Sequence, residues 1–462
     1  MFDLPSPLAR FKAGLCASPD PVAALGQGQI GKGMMIPTPT GPKPLIYADY
    51  IASGRALRQV EDFIAEEVLP FYANSHTEDS YCGAVMTQMR EEARAVIAAH
   101  CGATLEEHAV IFSGSGATAA LNQLVHLFSI GAALVRGEKV RVIVGPYEHH
   151  SNLLPWRESG AEVVEVAEAA EGGPDMKALE IALRTPADLT IAAFSAASNV
   201  TGVCTDVARV TALVKAHGVK MVWDYAGGGP YLPITIGKAD AIALSPHKFI
   251  GGPGASGVLI LRRDAVATTR PSRPGGGTVT FVNAYRHDYH TRLEEREEGG
   301  TPNVIGDIRA ALAMIVKEVI GEDRITERNR VLTQHAFEAW RDVPGIDILA
   351  PERTERLPFF SFVPRDADGK AIDHRVFTRA LSEQFGIQAR GGCACAGPYV
   401  HRLLQIGDAQ SDALRAEILA GDESHKPGFV RLNLSVLMED DTVDTILGAV
   451  ATLVSEVREK AA

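Results

Sequence analysis

The sequence predicts an α/β fold: a large domain built on a mostly parallel, seven-stranded sheet, followed by a smaller α+β domain. Three observations carry this expectation. Seven short apolar runs recur between residues 109 and 261, alternating with helical patterns. Alternation at that pitch means crossover units and a parallel sheet covered on both faces. The pattern changes after about residue 310, where long helical stretches precede scattered strands. Polar residues also gather just beyond several of the apolar runs, where ligands bind at the carboxyl edge of a parallel sheet.

In chain order, residues 1–45 are rich in Gly and Pro and read as an arm, wrapped on a partner subunit. Arg55 to Tyr72 is amphipathic, with Leu57, Val60, Phe63, Ile64, Val68 and Leu69 on one helical face. Thr87 to Cys101 is a second helix. The expected strands are Ala109–Ser113, Val140–Val144, Glu162–Val166, Leu189–Ser195, Lys220–Trp223, Ala241–Leu244 and Val258–Leu261. Ile308–Val319 and Thr326–Val343 are helical in pattern. Phe359–Val363, Ile387–Arg390 and Val430–Asn433 are strand-like. The expected divisions are therefore 1–45, 46–310 and 311–462.

Composition narrows the function. Hydrophobic residues make up 46% and charged residues 22%, ordinary for a soluble globular chain. A net charge of −12 with no basic stripe argues against nucleic-acid binding. No run of 18 apolar residues suggests a membrane span, and no charged flank leads into an apolar core at the N-terminus. The cysteines (Cys16, Cys82, Cys101, Cys204, Cys393 and Cys395) are scattered apart from one Cys-Ala-Cys. That is no disulfide framework, and a reducing cytoplasm is the expected compartment.

The most informative segment is Ser245-Pro246-His247-Lys248-Phe249, between an apolar run and the glycine-rich turn 251–257. A lysine at a strand end, followed by glycines, suits a Schiff base with an aldehyde. Pyridoxal phosphate is the cofactor that uses a lysine this way, and it needs an acid for its ring nitrogen. Asp224 stands at another strand end, 24 residues upstream. Alone, such a lysine is a turn residue and such an aspartate a helix cap; the pair, with Ser245 and His247, points to the cofactor. Gly114 to Ala119 follows a strand and opens a helix, where backbone N–H groups make an anion site. The same text matches a dinucleotide fingerprint. That reading needs an acid about 20 residues on, whereas the next strand ends about 30 residues on, and it leaves Lys248 and Asp224 unexplained. His149 and His150 close a further strand. Adjacent histidines rarely share one metal, so an imidazole stacked on a flat cofactor is the better reading, and no metal is expected. Asn199, at the next strand end, would hydrogen-bond the ring hydroxyl.

Taken in order, these segments resemble the class V (NifS-like) pyridoxal-phosphate enzymes, closest to the cysteine desulfurase and selenocysteine lyase group. The resemblance runs from about Tyr47 to Leu447. It is carried by Ala48–Ser53, Ser115–Thr118, Glu148–Trp156, Ser198–Gly202, Asp224–Ala226, Ser245–Lys248, Gly300–Asn303 and Ala389–Cys395. It implies the type I PLP-dependent transferase fold and a homodimer with shared active sites. It also implies roles. Lys248 would form the Schiff base and shuttle protons, and Asp224 would keep the ring nitrogen protonated. His149 and Ala226 would sandwich the ring. Ala117, Thr118, Ser245 and His247 would bind the phosphate, with Thr301 reaching in from the partner. Arg390, with Asn199, would bind substrate, Arg390 clamping its α-carboxylate. Cys395 would accept sulfur from L-cysteine or selenocysteine, leaving alanine and a persulfide for a sulfur-acceptor protein.

Two departures bear on the substrate. Gly227 stands where desulfurases usually carry Gln, and Cys393-Ala394 replaces a polar, often His-containing pair. The alternatives are a C–S lyase forming pyruvate, ammonia and sulfide, or a class V aminotransferase or epimerase. A non-enzymatic PLP-binding protein is a third class. Cys393 and Cys395 have a plainer reading as small packing residues. Against it stand the glycine-rich setting and Arg390 close by, since a cation favours thiolate.

Overall fold

The computed structural model describes residues 6–74 and 78–461. The central sheet has seven strands. From one edge they are His108–Phe112, Val258–Arg262, Ala241–Leu244, Lys220–Asp224, Leu189–Ser195, Val140–Val144 and Glu162–Glu165. Val258–Arg262 runs antiparallel to both neighbours, and the other pairings are parallel. Side chains alternate between the faces, as a strand's period of two requires. Val110, Phe112, Ile143, Ala192, Phe194, Met221, Trp223, Ile242 and Leu244 join one apolar cluster. Ala109, Ile111, Val142, Ala193, Val222, Ala241 and Ala243 join the other. The inner strands are covered on both sides, while the edge strand Glu162–Glu165 keeps both glutamates exposed. Helix Gly116–Leu127 covers one face; the apolar stretch that continues to Val135 is interrupted at Ser129, whose φ is +56°.

Residues 6–45, expected as an arm, hold regular structure. They contain helices Pro7–Cys16 and Pro21–Gln27, each with proline at its start. The side chains of Ser6 and Asp20 accept the Ala9 and Ala23 N–H groups at 3.1 and 3.0 Å. Leu8, Phe11, Leu15, Val22 and Leu25 are buried in this chain's own core, with Phe11 edge-on to Phe63. The expected helix 55–72 is also corrected. Helix Arg58–Phe63 widens into a π-helical turn, Ile64–Val68, and tightens into a 3₁₀ turn, Leu69–Phe71. The added residue rotates Leu69 off the buried face, and it is 51% exposed.

A second sheet, entirely antiparallel, has the order Ile346–Ile348, Phe359–Pro364, Phe429–Asn433, Arg390–Gly392. Trp340, Phe360, Phe362, Phe377, Leu432 and Val450 centre its core. The strand expected at Ile387–Arg390 is two pieces. Ile387–Gln388 pairs in parallel with Ile46–Tyr47, and the chain then changes partner so that Arg390–Gly392 lies beside Phe429–Asn433. The boundary drawn between 310 and 311 falls inside helix Val304–Ile320. That helix is buried with the first sheet's cluster on both sides of the boundary.

Candidate active site

The strands that precede Ala117, His149, Asn199, Asp224 and Ser245 all end at the same edge of the central sheet. Ala241–Leu244 runs into Ser245 and a single 3₁₀ turn, Pro246–Lys248. Its neighbour ends at Asp224, in register with Ala243. Asp224 is 3% exposed, and its Oδ1 accepts the Ala226 N–H at 2.8 Å. Burial pushes its carboxyl pKa up, opposed by that N–H and by the Lys248 amine. Burial likewise lowers Lys248 to about 8; Asp224 pulls it back up, while Arg431 and Arg390 lower it. Each of the pair is therefore costly to charge alone and less costly beside the other.

The glycine loop after His108–Phe112 meets the lysine turn directly. Gly116 has φ +70°, and a Cβ there would stand 2.8 Å from Ser245 Oγ and 2.9 Å from His247 Cε1. Ser245 Oγ accepts the Ala117 N–H at 3.0 Å. Burial, and then Lys248, lower His247 to about 4. Behind this cradle, Gly257 N–H donates to Gly114 O at 2.7 Å, and Ser113 N–H donates to Gly257 O at 2.8 Å. Gly257 is pressed so close that its Cβ would lie 2.5 Å from Gly116 N. Thr118 is exposed at the cradle's rim, its hydroxyl 2.6 Å from Ser151 Oγ.

His149 is half-buried, and its Nδ1 accepts the Ser151 N–H at 3.1 Å. Burial, followed by Lys248, lowers it to about 3, so the ring is neutral. Glu148, just before it, is buried at the sheet edge. It accepts the Ser195 N–H at 2.8 Å, the Ser195 hydroxyl at 2.6 Å and the Asn152 amide at 2.5 Å. Burial raises Glu148 to about 7 despite these donors. Asn199 is 7% exposed; its Nδ2 donates to Ala394 O at 2.6 Å, and its Oδ1 has no partner. Where Gln was expected, a Cβ on Gly227 would contact Ala197 O at 3.5 Å and Asn199 Cβ at 3.6 Å. Asn199 therefore borders the space such a side chain would enter.

Three charged groups from distant segments meet beside Lys248. Asp49 accepts Arg390 Nε at 2.9 Å on one oxygen and Arg431 Nη2 at 3.1 Å on the other. Arg431 is 4% exposed and also donates to Asn199 O at 3.0 Å. The Arg390 side chain is 54% exposed, so its remaining donors face outward. Cys395 is exposed at φ +54°, after Ala394 at φ +51°. Its carbonyl accepts the His150 N–H at 2.8 Å, and His150 Nε2 accepts the Gly397 N–H at 3.0 Å. Thr301 is exposed.

Asp49, Glu148, Ser151 and Arg431 were not anticipated as site residues. Asp49, Glu148 and Ser151 lie inside the motifs Ala48–Ser53 and Glu148–Trp156, but their partners are far away in sequence. Arg431 sits inside an apolar strand, and a charge there was itself the signal: buried charges need partners.

Pyridoxal phosphate fits these residues. The glycine cradle leaves room for an anion beside Ala117, Ser245 and His247, and Asn199 Oδ1 is a buried polar atom without a hydrogen-bond partner. Lys248 could supply the amine and Asp224 the acid that this cofactor requires. Sheet order, lysine turn and cradle together define a type I PLP-dependent enzyme. The chain belongs to the class-V aminotransferase family, whose description matches residues 46–445. Members of that family use pyridoxal 5′-phosphate. A probable cysteine desulfurase of Pyrococcus abyssi is 27% identical over 90% of this chain and 95% of its own. One from Staphylococcus aureus is 29% identical over 77% and 84%. Among solved structures, the apo cysteine desulfurase of Thermococcus onnurineus has a TM-score of 0.73 at 25% identity, covering 89% of this chain and 95% of that one. The Escherichia coli cysteine desulfurase CsdA has a TM-score of 0.69 at 24% identity over the same shares.

Proposed function

We propose that the chain is a cysteine desulfurase, acting on L-cysteine or a close analogue with Cys395 as sulfur acceptor. The observation that carries the reading is the meeting of Lys248, Asp224, Arg390 and the Cys395 turn at one sheet edge. Relatives named as cysteine desulfurases support it. When bound, pyridoxal phosphate supplies an aldehyde for amines and a ring that takes up electron density.

The chain's residues do the rest. Burial makes the Asp224 charge costly until a cation lies against it, and a protonated ring nitrogen is such a cation. Lys248 Nζ, about half of it neutral at pH 8, takes the substrate's α-proton and returns it. The neutral His149 offers a flat face without a competing charge. Arg390, aligned by Asp49, binds the α-carboxylate through its outward N–H groups. Cys395 Sγ attacks the substrate sulfur and the C–S bond breaks. The electron pair stays with carbon, where protonation gives alanine, and the sulfur remains on Cys395. The shared active site, with Thr301 completing the partner's phosphate site, and a sulfur-acceptor protein belong to the same proposal.

The test is product analysis with L-cysteine and a reductant. Alanine and sulfide are expected in equal amounts, and Cys395→Ser should abolish alanine while the protein keeps its visible absorbance. Pyruvate and ammonia, formed at an undiminished rate in Cys395→Ser, would establish β-elimination instead.

A further inference from the structure

Cys393 takes no part in the chemistry above, yet it shares a turn with Cys395. Ala396 N–H donates to Cys393 O at 3.3 Å, and the two residues between have φ of +51° and +54°. Two successive residues at positive φ make a type I′ turn, which without glycine is strained. The strain is held from outside by Asn199 on Ala394 O and by His150 on Cys395 O and Gly397 N. Two residues of extended chain span at most about 7 Å, and a turn shortens that. The Cys393 and Cys395 Cα atoms therefore fall within the roughly 4.4–6.8 Å that a disulfide spans. Cys393 is half-buried and donates its thiol proton to Pro427 O at 2.7 Å, whereas Cys395 is exposed. Burial raises the Cys393 pKa, opposed by Lys426, and the nearby Cys395 adds to the rise. Substrate therefore meets Cys395 first, with a second thiol behind it.

We propose that Cys393 is a resolving thiol: it displaces the sulfur carried by Cys395 as sulfide and closes a Cys393–Cys395 disulfide. This rests on the reading of Cys395 as sulfur acceptor. The Cys393 thiolate, its proton lost to solvent, attacks Cys395 Sγ. The bond to the terminal sulfur breaks, and hydrosulfide leaves with the electron pair. The terminal sulfur is reduced, the two thiols are oxidised, and a small dithiol restores the pair. The protein would then release sulfide without an acceptor protein, at the cost of needing a reductant each turnover.

The holoenzyme is reduced, freed of thiol and given half an equivalent of L-cysteine per site, so that substrate cannot itself act as the releasing thiol. Alanine, sulfide and intact mass are measured. The expected result is equal alanine and sulfide, with reacted chains about 2 Da lighter. Cys393→Ser should still form alanine, release at least tenfold less sulfide and gain about 32 Da as persulfide. Wild-type protein that keeps the extra sulfur and releases none overturns the proposal, whatever the variant does. Absence of alanine would instead strike the desulfurase reading. A second arm is independent of it: cofactor-free protein treated with inorganic polysulfide should close the same disulfide, and failure there overturns the thiol pair by itself.

Discussion

In the cofactor-free protein, Lys248 should react as an amine titrating near 8 rather than the usual 10.5. At pH 8 about half the molecules then carry neutral Nζ, against roughly 0.3% for an unperturbed lysine, so acylation should run about a hundredfold faster. Competitive labelling with acetic anhydride from pH 6 to 11, read by peptide mass spectrometry, gives the midpoint at this residue. The neighbours fix the direction of two perturbations. Asp224 raises the Lys248 pKa and Arg390 lowers it. Asp224→Asn should therefore move the midpoint down, and Arg390→Gln should move it up. Neither substitution changes burial, the largest cause, so both midpoints should stay below that of an exposed lysine. A wild-type midpoint at 10 or above, or two variants shifting the same way, would refute this account of the pair.

Asp49→Ala leaves the buried Arg431 guanidinium without its carboxylate. It should cost about 3 kcal/mol in urea unfolding and raise KM more than it lowers kcat, because Arg390 loses its alignment; unchanged KM would count against the clamp. Gly116→Ala puts a Cβ into Ser245 and His247 at a positive φ, and should weaken pyridoxal phosphate binding at least tenfold by equilibrium dialysis, with little change in the far-ultraviolet spectrum. Glu148 has a folded pKa near 7, above its usual 4.5. Its stabilising protonated form is fully present below 4.5 and is lost as pH rises through 7. Glu148→Gln should flatten that part of the stability profile, and denaturant midpoints from pH 4 to 8 would show an unaltered slope if the carboxyl were ionised throughout.

The seven strands were legible because each is a short apolar run bounded by turn residues, and their ends marked the site. The antiparallel course of Val258–Arg262 was not legible, since an apolar run carries no direction. Glycine and proline in the first 45 residues suggested an arm, but Ser6-Pro7 and Asp20-Pro21 are cap-and-proline starts that announce helices. The π-turn at Ile64–Val68 leaves no trace in apolar spacing, so Leu69 was assigned to the wrong face. Lys248 and Asp224 could be paired from sequence because each stands at a strand end. Asp49 and Arg431 could not: 382 residues separate them, and only the fold joins Ile46–Tyr47 and Phe429–Asn433 to one neighbourhood.

Gly114 and Gly257 are tied back to back, fixing the glycine loop to the strand that returns from the lysine turn. Arg390 and the cysteine turn hang from the other sheet, reaching the site through Asp49, Asn199 and His150. Anchorage and discrimination are thus separate inheritances. On the proposed reading, substitutions along Arg390–Ala396 would alter which amino acid is accepted and where its sulfur goes while the cofactor's seat stays as it was, which makes that short segment the place to begin when redirecting the enzyme to a new substrate.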